Sequence, residues 1–278
     1  IISNPSAYSF DEHLGSLIFV SVEKPGLCPE LVEINVTLKE SPIFIIPETF
    51  VCPFEGSVDI IHDFSGLQIS SYEWKDAAGQ LISKSSSLHN VTKAGNYSIK
   101  VVGDNGCDYT VNFAVTNYDV PVITDLIPNG NTYKIVAKGD ASKIILYSKD
   151  KLTWQTSDTF TNLPAGNPIF YVKYENESCI GFPKEGIIPN IFNVITPNAD
   201  GQNDIWKLTG LHVFDGKNSS VKIFDRYQKL LYEQTNNVEL SWNGHYLGRP
   251  LSTDSYWYVI SLPDGRIFTG WILLKNRN

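Results

Sequence analysis

The segment Tyr256-Trp-Tyr-Val-Ile-Ser-Leu262, followed by Pro263-Asp-Gly-Arg266, decides the fold class. Its aromatic and β-branched residues give an extended chain a substantial face on both sides, which is typical of a central strand in a small β-sandwich. Pro263 favours the backbone of a turn and Gly265 accepts positive φ, so the tetrapeptide predicts a hairpin. A return strand is expected over residues 266–274.

Similar short runs rich in Val, Ile, Thr, Tyr and Phe recur between clusters of Gly, Pro, Asn and Asp. Apolar spacing typical of a helix is not sustained over three turns anywhere in the chain. The sequence therefore predicts an all-β protein, with strands that include Gly95–Val102, Lys134–Ala137, Ile169–Tyr174 and Val221–Phe224.

An internal repeat suggests how the strands are grouped. Three segments, residues 16–23, 95–102 and 168–175, each form a predicted strand that leads through a polar turn to Cys28, Cys107 or Cys179. The separation of these cysteines, about 75 residues, is close to the size of a small sandwich domain. We expect the C-terminal part of one module over 1–46, complete modules over 47–121 and 122–188, and a separate domain over 189–278.

The middle repeat contains Cys52, Trp74 and Cys107 in an order that resembles an immunoglobulin-like sandwich, where a buried Trp packs near an inter-sheet bridge. The resemblance implies tandem Ig-like β-sandwich modules and a Cys52–Cys107 disulfide, with Cys28 and Cys179 lacking partners. The alternative is that all four cysteines are buried free thiols.

Charge and composition exclude several function classes. The net charge is -8 and the pI about 5.1, which opposes non-specific binding to nucleic acid or to an anionic membrane surface. No apolar run is long enough for a spanning helix. Residues 189–278 carry 9 basic and 8 acidic side chains, so the remainder is strongly acidic and the last third differs chemically. Because Met is absent, we expect a piece of a longer gene product.

Several motifs in this last third resemble, in order, the gliding motility-associated C-terminal domain, the type B sorting domain of the bacterial type IX secretion system. They are Ile195-Thr-Pro-Asn-Ala-Asp-Gly-Gln-Asn-Asp-Ile-Trp206, Val221-Lys-Ile-Phe-Asp-Arg-Tyr-Gln-Lys-Leu230, Trp242-Asn-Gly244, Arg249-Pro-Leu251, Tyr256-Trp-Tyr258 and Pro263-Asp-Gly-Arg-Ile-Phe-Thr-Gly270. The sequence departs from the family pattern at three places. Ala199 and Gln228 replace glycines, and Thr253-Asp-Ser255 replaces a tighter turn.

The resemblance implies a β-sandwich sorting domain on a secreted surface protein of the Bacteroidota. Such a domain would fold in the periplasm, be recognised by the outer-membrane type IX translocon and its shuttle barrel protein, and direct export and surface retention. Candidate recognition residues lie in the motifs' turns: Pro197, Asn198, Asp200, Gly201, Asn203, Asp204, Arg226, Tyr227, Asp264 and Gly265.

The segment Asn198-Ala-Asp-Gly-Gln-Asn-Asp204 is also the best candidate for a metal site. Oxygen ligands from Asp200, Asn203 and Asp204 around a Gly can wrap Ca²⁺. No bidentate Glu follows at the position that an EF-hand requires. Asn and Asp in such loops also build Asx turns that satisfy backbone groups, so a structural turn remains the alternative.

No catalytic constellation is evident. The five His residues are scattered, and no zinc-protease, nucleophile-elbow or Cys-x-x-Cys motif is present. We expect no enzyme activity and no cofactor.

Six aromatic residues fall into two expected groups. Trp74, Trp242 and Trp257 are expected in cores, whereas Trp206, Trp271 and Tyr227 are candidates for exposed platforms that contact sugar or protein. A rival function is therefore an adhesin, whose Ig-like modules bind glycan or a surface partner.

Overall fold

The computed structural model describes residues 17–35 and 39–276. Within these ranges the chain is nearly all β, with one 3₁₀ turn at Leu211–Phe214 and no α-helix. The all-β prediction is confirmed. No helix in the described ranges has the length and apolar character to cross a membrane. The chain divides into two compact units, Ile1–Tyr118 and Asp119–Asn278. The finer module boundaries stay predictions, and residues 1–16 and 36–38 of the expected first module lie outside the described residues.

The first unit is built from nine strands. They are β1 (Leu17–Val22), β2 (Glu30–Asn35), β3 (Thr49–Val51), β4 (Val58–Ile60), β5 (Ile69–Lys75), β6 (Leu81–Ser83), β7 (Leu88–Val91), β8 (Gly95–Gly103) and β9 (Asp108–Asn117). Strands β1 and β2 pair as an antiparallel hairpin, and β3-β9-β8-β5-β6 form a five-stranded sheet beside the two-stranded β4-β7 sheet.

The core of this unit lies on one face of the five-stranded sheet. Trp74 is completely buried with Ile99 and Val101, and its indole N–H donates to the Ser85 carbonyl at 2.8 Å. The prediction that Trp74 lies buried in a β-sandwich is confirmed.

The predicted Cys52–Cys107 disulfide is wrong. Cys107 carries a free thiol, as does the exposed Cys28, whereas Cys52 is disulfide-bonded. β3 pairs in parallel with the end of β9, so Cys52 follows Val51 beside Asn117. Cys107 precedes the first residue of β9 at the opposite end of that ten-residue strand. At about 3.3 Å per residue the two cysteines are roughly 30 Å apart, far beyond the reach of a disulfide.

The second unit contains the remaining strands. They are β10 (Val122–Asn129), β11 (Thr132–Lys138), β12 (Ile145–Ser148), β13 (Thr159–Phe160), β14 (Ile169–Tyr174), β15 (Lys184–Glu185), β16 (Val194–Ile195), β17 (Trp206–Leu208), β18 (Ser219–Phe224), β19 (Leu230–Asn236), β20 (Leu240–Trp242), β21 (His245–Tyr246), β22 (Arg249–Pro250), β23 (Asp254–Ser261) and β24 (Ile267–Leu274). We call residues 119–188 the penultimate module and residues 189–276 the terminal domain.

The penultimate module packs two three-stranded sheets, β10-β11-β13 and β12-β14-β15, around a core that includes Tyr133, Ile135 and Phe170. Cys179, for which the sequence offered no partner, is buried and disulfide-bonded. Residues 184–188, which end this module, form hydrogen bonds with it. β15 pairs with the start of β14, and Ile188 exchanges two backbone hydrogen bonds with Gly166.

The terminal domain has one five-stranded sheet, β16-β24-β23-β18-β19, whose inner face carries the core. β23 is the central strand, as its two substantial faces predicted. The predicted hairpin is also confirmed. β23 and β24 pair over their full length, Gly265 has a φ of 86°, and its N–H donates to the Leu262 carbonyl at 3.0 Å.

Candidate functional site

The terminal sheet has two ends, and the predicted recognition residues are divided between them. β23 starts at Asp254, opposite Leu274, and Phe224 at the end of β18 lies opposite Trp257. The turn of residues 225–229 therefore extends past the start of β23. We call this end the distal end; it comprises the loop of residues 196–204, the turn of residues 225–229 and Asp254. The other end, at the hairpin of residues 262–266, is called the module end.

The loop of residues 196–204 reaches the distal end because β16 runs parallel to β24, with Ile195 opposite Leu274. Its organising group is the Asp204 carboxylate, which accepts three backbone N–H bonds at 2.8 Å, from Asn198, Ala199 and Gly201. Asp200 adds a second turn by accepting the Gln202 N–H at 2.8 Å. This loop is fixed by its own Asp side chains.

These hydrogen bonds have an electrostatic consequence. The backbone N–H of Asn198, followed by that of Gly201, holds the pKa of Asp204 below its usual value. A carboxylate that is stabilised by backbone donors does not need a cation to remain ionised or ordered. Among the described residues, no group of three or more His, Cys, Asp or Glu side chains is arranged to hold a metal. The loop geometry is that of Asx turns, and calcium binding stays an untested prediction.

The turn of residues 225–229 presents the most exposed aromatic side chain of the terminal domain. Asp225 Oδ1 accepts the backbone N–H of Tyr227 at 2.8 Å and that of Lys229 at 2.9 Å. This ordering leaves the Tyr227 side chain 84% exposed at the tip. Gln228, at a family glycine position, has a φ of 64°, and Ala199 has a φ of 60°. Both departures from glycine thus lie in the left-handed region.

Asp254, in the segment that replaces the family's tighter turn, forms an ion pair with Arg226. The guanidinium, together with the Ser255 N–H, lowers the pKa of Asp254, and the carboxylate raises the pKa of Arg226. The pair ties the exposed turn to the central strand. Beside it lies an open hollow of about 480 Å³, lined by Phe224, Asp225, Arg226, Gln228 and Trp257. The distal end therefore combines an exposed tyrosine, a fixed ion pair and an open aromatic surface.

The module end is arranged differently. Asp264 accepts hydrogen bonds from the Arg266 side chain at 2.7–2.8 Å, and that side chain is only 13% exposed. Arg266 Nη1 donates to the Ile187 carbonyl at 2.9 Å, and Nη2 lies 3.3 Å from the Tyr133 hydroxyl of the penultimate module. Asp264 and Gly265 are about 23 Å from the distal end, by the length of β23. The structure therefore groups the loop and turn candidates and separates the two hairpin candidates from them.

The aromatic predictions are partly wrong. Trp242 is buried as expected, but Trp257 is 53% exposed, because it lies on the uncovered outer face of the terminal sheet. Trp206 is completely buried; its side chain and that of Leu208 point to the core, and its indole N–H donates to the Phe192 carbonyl at 3.0 Å. Trp271, opposite Trp257, is 45% exposed as predicted. Sequence reasoning missed Trp257 and Arg266 as surface and interface residues.

With this geometry established, comparison with known proteins identifies the terminal domain. Residues 189–274 match the family model described as the CHU_C type IX secretion signal domain. This stretch is a type IX secretion signal domain, and the family resemblance that its motifs indicated is confirmed. Such a signal marks a secreted, cell-surface protein that interacts with the type IX machinery. No curated protein matches the chain.

Solved structures give only distant likenesses. The SGBP-B protein of the Bacteroides ovatus mixed-linkage glucan utilization locus, in complex with a heptasaccharide, is 11% identical, with 87% of this chain and 69% of that one covered and a TM-score of 0.23. PorZ of the Porphyromonas gingivalis type IX system is 14% identical, covering 73% and 32%, with a TM-score of 0.26. PorU of the same organism is 10% identical, covering 95% and 29%, with a TM-score of 0.25.

Proposed function

We propose that the distal end of the terminal domain is the surface by which the outer-membrane type IX translocon and its shuttle barrel protein recognise this chain. Recognition would follow passage through the periplasm and would lead to export and retention on the cell surface. The chain acts by binding and carries out no reaction of its own.

The observation that carries this proposal is the family match over residues 189–274, because it assigns the type IX secretion signal to the domain that contains the distal end. The exposure of Tyr227 and Trp257 supports the choice of end, since aromatic side chains are enriched among the interface residues that dominate binding energy. The module end is less suitable, because Arg266 is already engaged there.

Electrostatics is consistent with this arrangement. The acidic residues of the chain are concentrated before residue 189, and residues 189–278 are close to neutral. At the distal end, Arg226 and Asp254 form an ion pair, but the end as a whole has four carboxylates against two cations. Aromatic and hydrogen-bonding contacts would therefore be joined by attraction to a basic partner surface, and we expect docking to weaken as salt is raised.

The test is a Tyr227→Ala substitution in the full chain, expressed in a host that has the type IX system. Loss of a central aromatic contact costs about 2 kcal/mol, or roughly thirtyfold in affinity, so the protein should accumulate in the periplasm. Thermal unfolding should not change, because the side chain is 84% exposed.

The matched control is Leu152→Ala, which removes a side chain of equal exposure, 85%, from the penultimate module. It should leave secretion as in the wild type. Normal surface delivery of Tyr227→Ala and of a Trp257→Ala companion would overturn the assignment of the distal end.

A second candidate function, glycan binding by the first unit, is favoured by one observation. An open hollow of about 540 Å³ is lined by the stacked rings of Tyr97 and Phe113 together with Asp76, Asn96 and Asn112. Aromatic faces beside amide and carboxylate groups suit a sugar ring. Binding of the full chain on a glycan array, lost in Asn112→Ala, would support this role, and an array without signal would count against it.

A further inference from the structure

We infer that the export signal is larger than the family match: the penultimate module is part of it, and the two parts unfold as one cooperative unit. The expected effect on secretion rests on the proposed function. The cooperative unfolding is argued separately, from the contact between residues 119–188 and the terminal domain.

The contact begins in two neighbouring isoleucines that belong to different cores. Ile187 is 2% exposed and packs in the terminal core with residues such as Trp206 and Leu262, whereas Ile188 is 8% exposed and packs in the core of the penultimate module. A connection whose consecutive side chains are anchored in opposite cores cannot extend without emptying one of them. The isoleucine that left its core would then expose its apolar side chain to water, which is unfavourable.

The backbone of Ile187 is held by a side chain from each part. The buried Tyr133 hydroxyl accepts the Ile187 N–H at 2.9 Å and donates to the Ile187 carbonyl at 2.9 Å. Arg266 donates to that carbonyl from the other side, and its guanidinium lies 5.9 Å from the Tyr133 ring centroid. One tyrosine from the module and one arginine from the terminal hairpin therefore meet on a single peptide group.

We call this meeting of Tyr133 and Arg266 on the Ile187 peptide group the node. A second contact lies beside it. The Asn167 amide donates to the Gly210 carbonyl at 3.0 Å and to the Gly186 carbonyl at 3.1 Å, so it bridges the terminal domain and the end of the module. Gly210 has a φ of 83°, and any side chain there would collide with the Asn167 amide. His212 Nε2 lies 3.1 Å from Glu185 Oε1 at the rim. Buried apolar, buried polar and exposed charged contacts thus surround the connection.

The functional consequence is that the module end is already occupied by residues of the same chain. When the translocon binds the terminal domain, the penultimate module already holds that domain in one orientation. Losing that contact would deprive Arg266 and Ile187 of the Tyr133 hydroxyl and would loosen the hairpin strands β23 and β24.

The experiment is Tyr133→Phe in the full chain, with hydrogen exchange measured by mass spectrometry and with secretion followed in parallel. The change deletes only the hydroxyl on which Ile187 and Arg266 converge. Leaving the Ile187 N–H unpaired, and its carbonyl with Arg266 as the remaining donor, should raise the opening constant about tenfold. We expect that rise in β10 and β11, which belong to the module, and equally in β23 and β24, which carry no mutation. The secreted fraction should fall.

The matched control is Tyr147→Phe, which deletes the hydroxyl of a half-buried tyrosine in the same module that takes no part in these contacts. It should leave exchange in β23 and β24 as in the wild type. If Tyr133→Phe fails to fold, Asn167→Ala is the milder substitute, because it removes only the two bridging bonds.

Two outcomes overturn the inference. One is increased exchange confined to the module, with β23 and β24 as protected as before. The other is loss of protection in both parts with normal secretion, which would restrict the signal to the terminal domain. The proposed function fails separately, when Tyr227→Ala and Trp257→Ala are both secreted normally while Tyr133→Phe still shows linked exchange.

Discussion

An Ile187→Ala substitution gives the sharpest measure of cooperativity in the second unit. The change keeps the backbone groups that bond Tyr133 and Arg266 and removes three carbons from a side chain that is 2% exposed. At about 0.8 kcal/mol per carbon, plus a cavity of partly relaxed walls, the loss is about 3 kcal/mol.

The size of the Tm shift depends on how much of the chain unfolds together. In a cooperative unit of about 160 residues, a loss of 3 kcal/mol lowers Tm by roughly 6–12 °C. In a terminal domain that unfolds alone, with about 90 residues, the same loss lowers Tm by roughly 12–24 °C. Ile188→Ala, in the core of the other part, is the matched control and should move the same transition.

Calorimetry on the full chain measures both variants. Cooperative unfolding of the second unit is refuted if Ile187→Ala and Ile188→Ala move two different transitions. A decrease in Tm of less than about 2 °C for Ile187→Ala would show that its side chain is not a core residue.

Two further predictions concern the loops of the distal end. Gln228→Gly should raise Tm by a few degrees, because Gln228 has a φ of 64° and a non-glycine residue there costs about 1 kcal/mol. The control Lys229→Gly, at the next position, should lower Tm. A lower Tm for both variants would contradict the assignment of backbone strain to Gln228. The Asp204 carboxylate has a lowered pKa in the folded chain, so its contribution to stability is complete above the unfolded value of 3.8 and disappears as the pH falls through the lower, folded value. The amide signals of Ala199 and Gly201 in NMR spectra should therefore titrate below pH 3.8 and should not titrate in Asp204→Asn, whereas a midpoint above 3.8 would show that these hydrogen bonds do not form.

Local sequence patterns predicted the strands and the hairpin well. Gly95–Val102, Ile169–Tyr174 and the hairpin at Pro263–Arg266 were found because alternation and turn chemistry are properties of neighbouring residues. Asx turns in the distal loop were one of the alternatives that the sequence left open, although Asp204 was not singled out as the organising residue.

What the sequence did not reveal depends on contacts between distant residues. The Cys52–Cys107 prediction failed because the parallel pairing of β3 with the far end of β9 has no local signature. Trp257 was assigned to a core because alternation shows two apolar faces but not which of them is covered. The contacts of Arg266 with Tyr133 and Ile187 span 133 and 79 positions, so the hairpin motif alone gave no indication of them.

The two isoleucines at 187 and 188 also determine how the second unit responds to mechanical load. A flexible linker would absorb a pull by straightening, whereas here the connection has no slack, since each side chain is anchored in a different core. A force applied along the chain would be borne at once by both hydrophobic cores and by the node at Tyr133 and Arg266. The connection would therefore act as a stiff mechanical coupling between the two parts of the second unit.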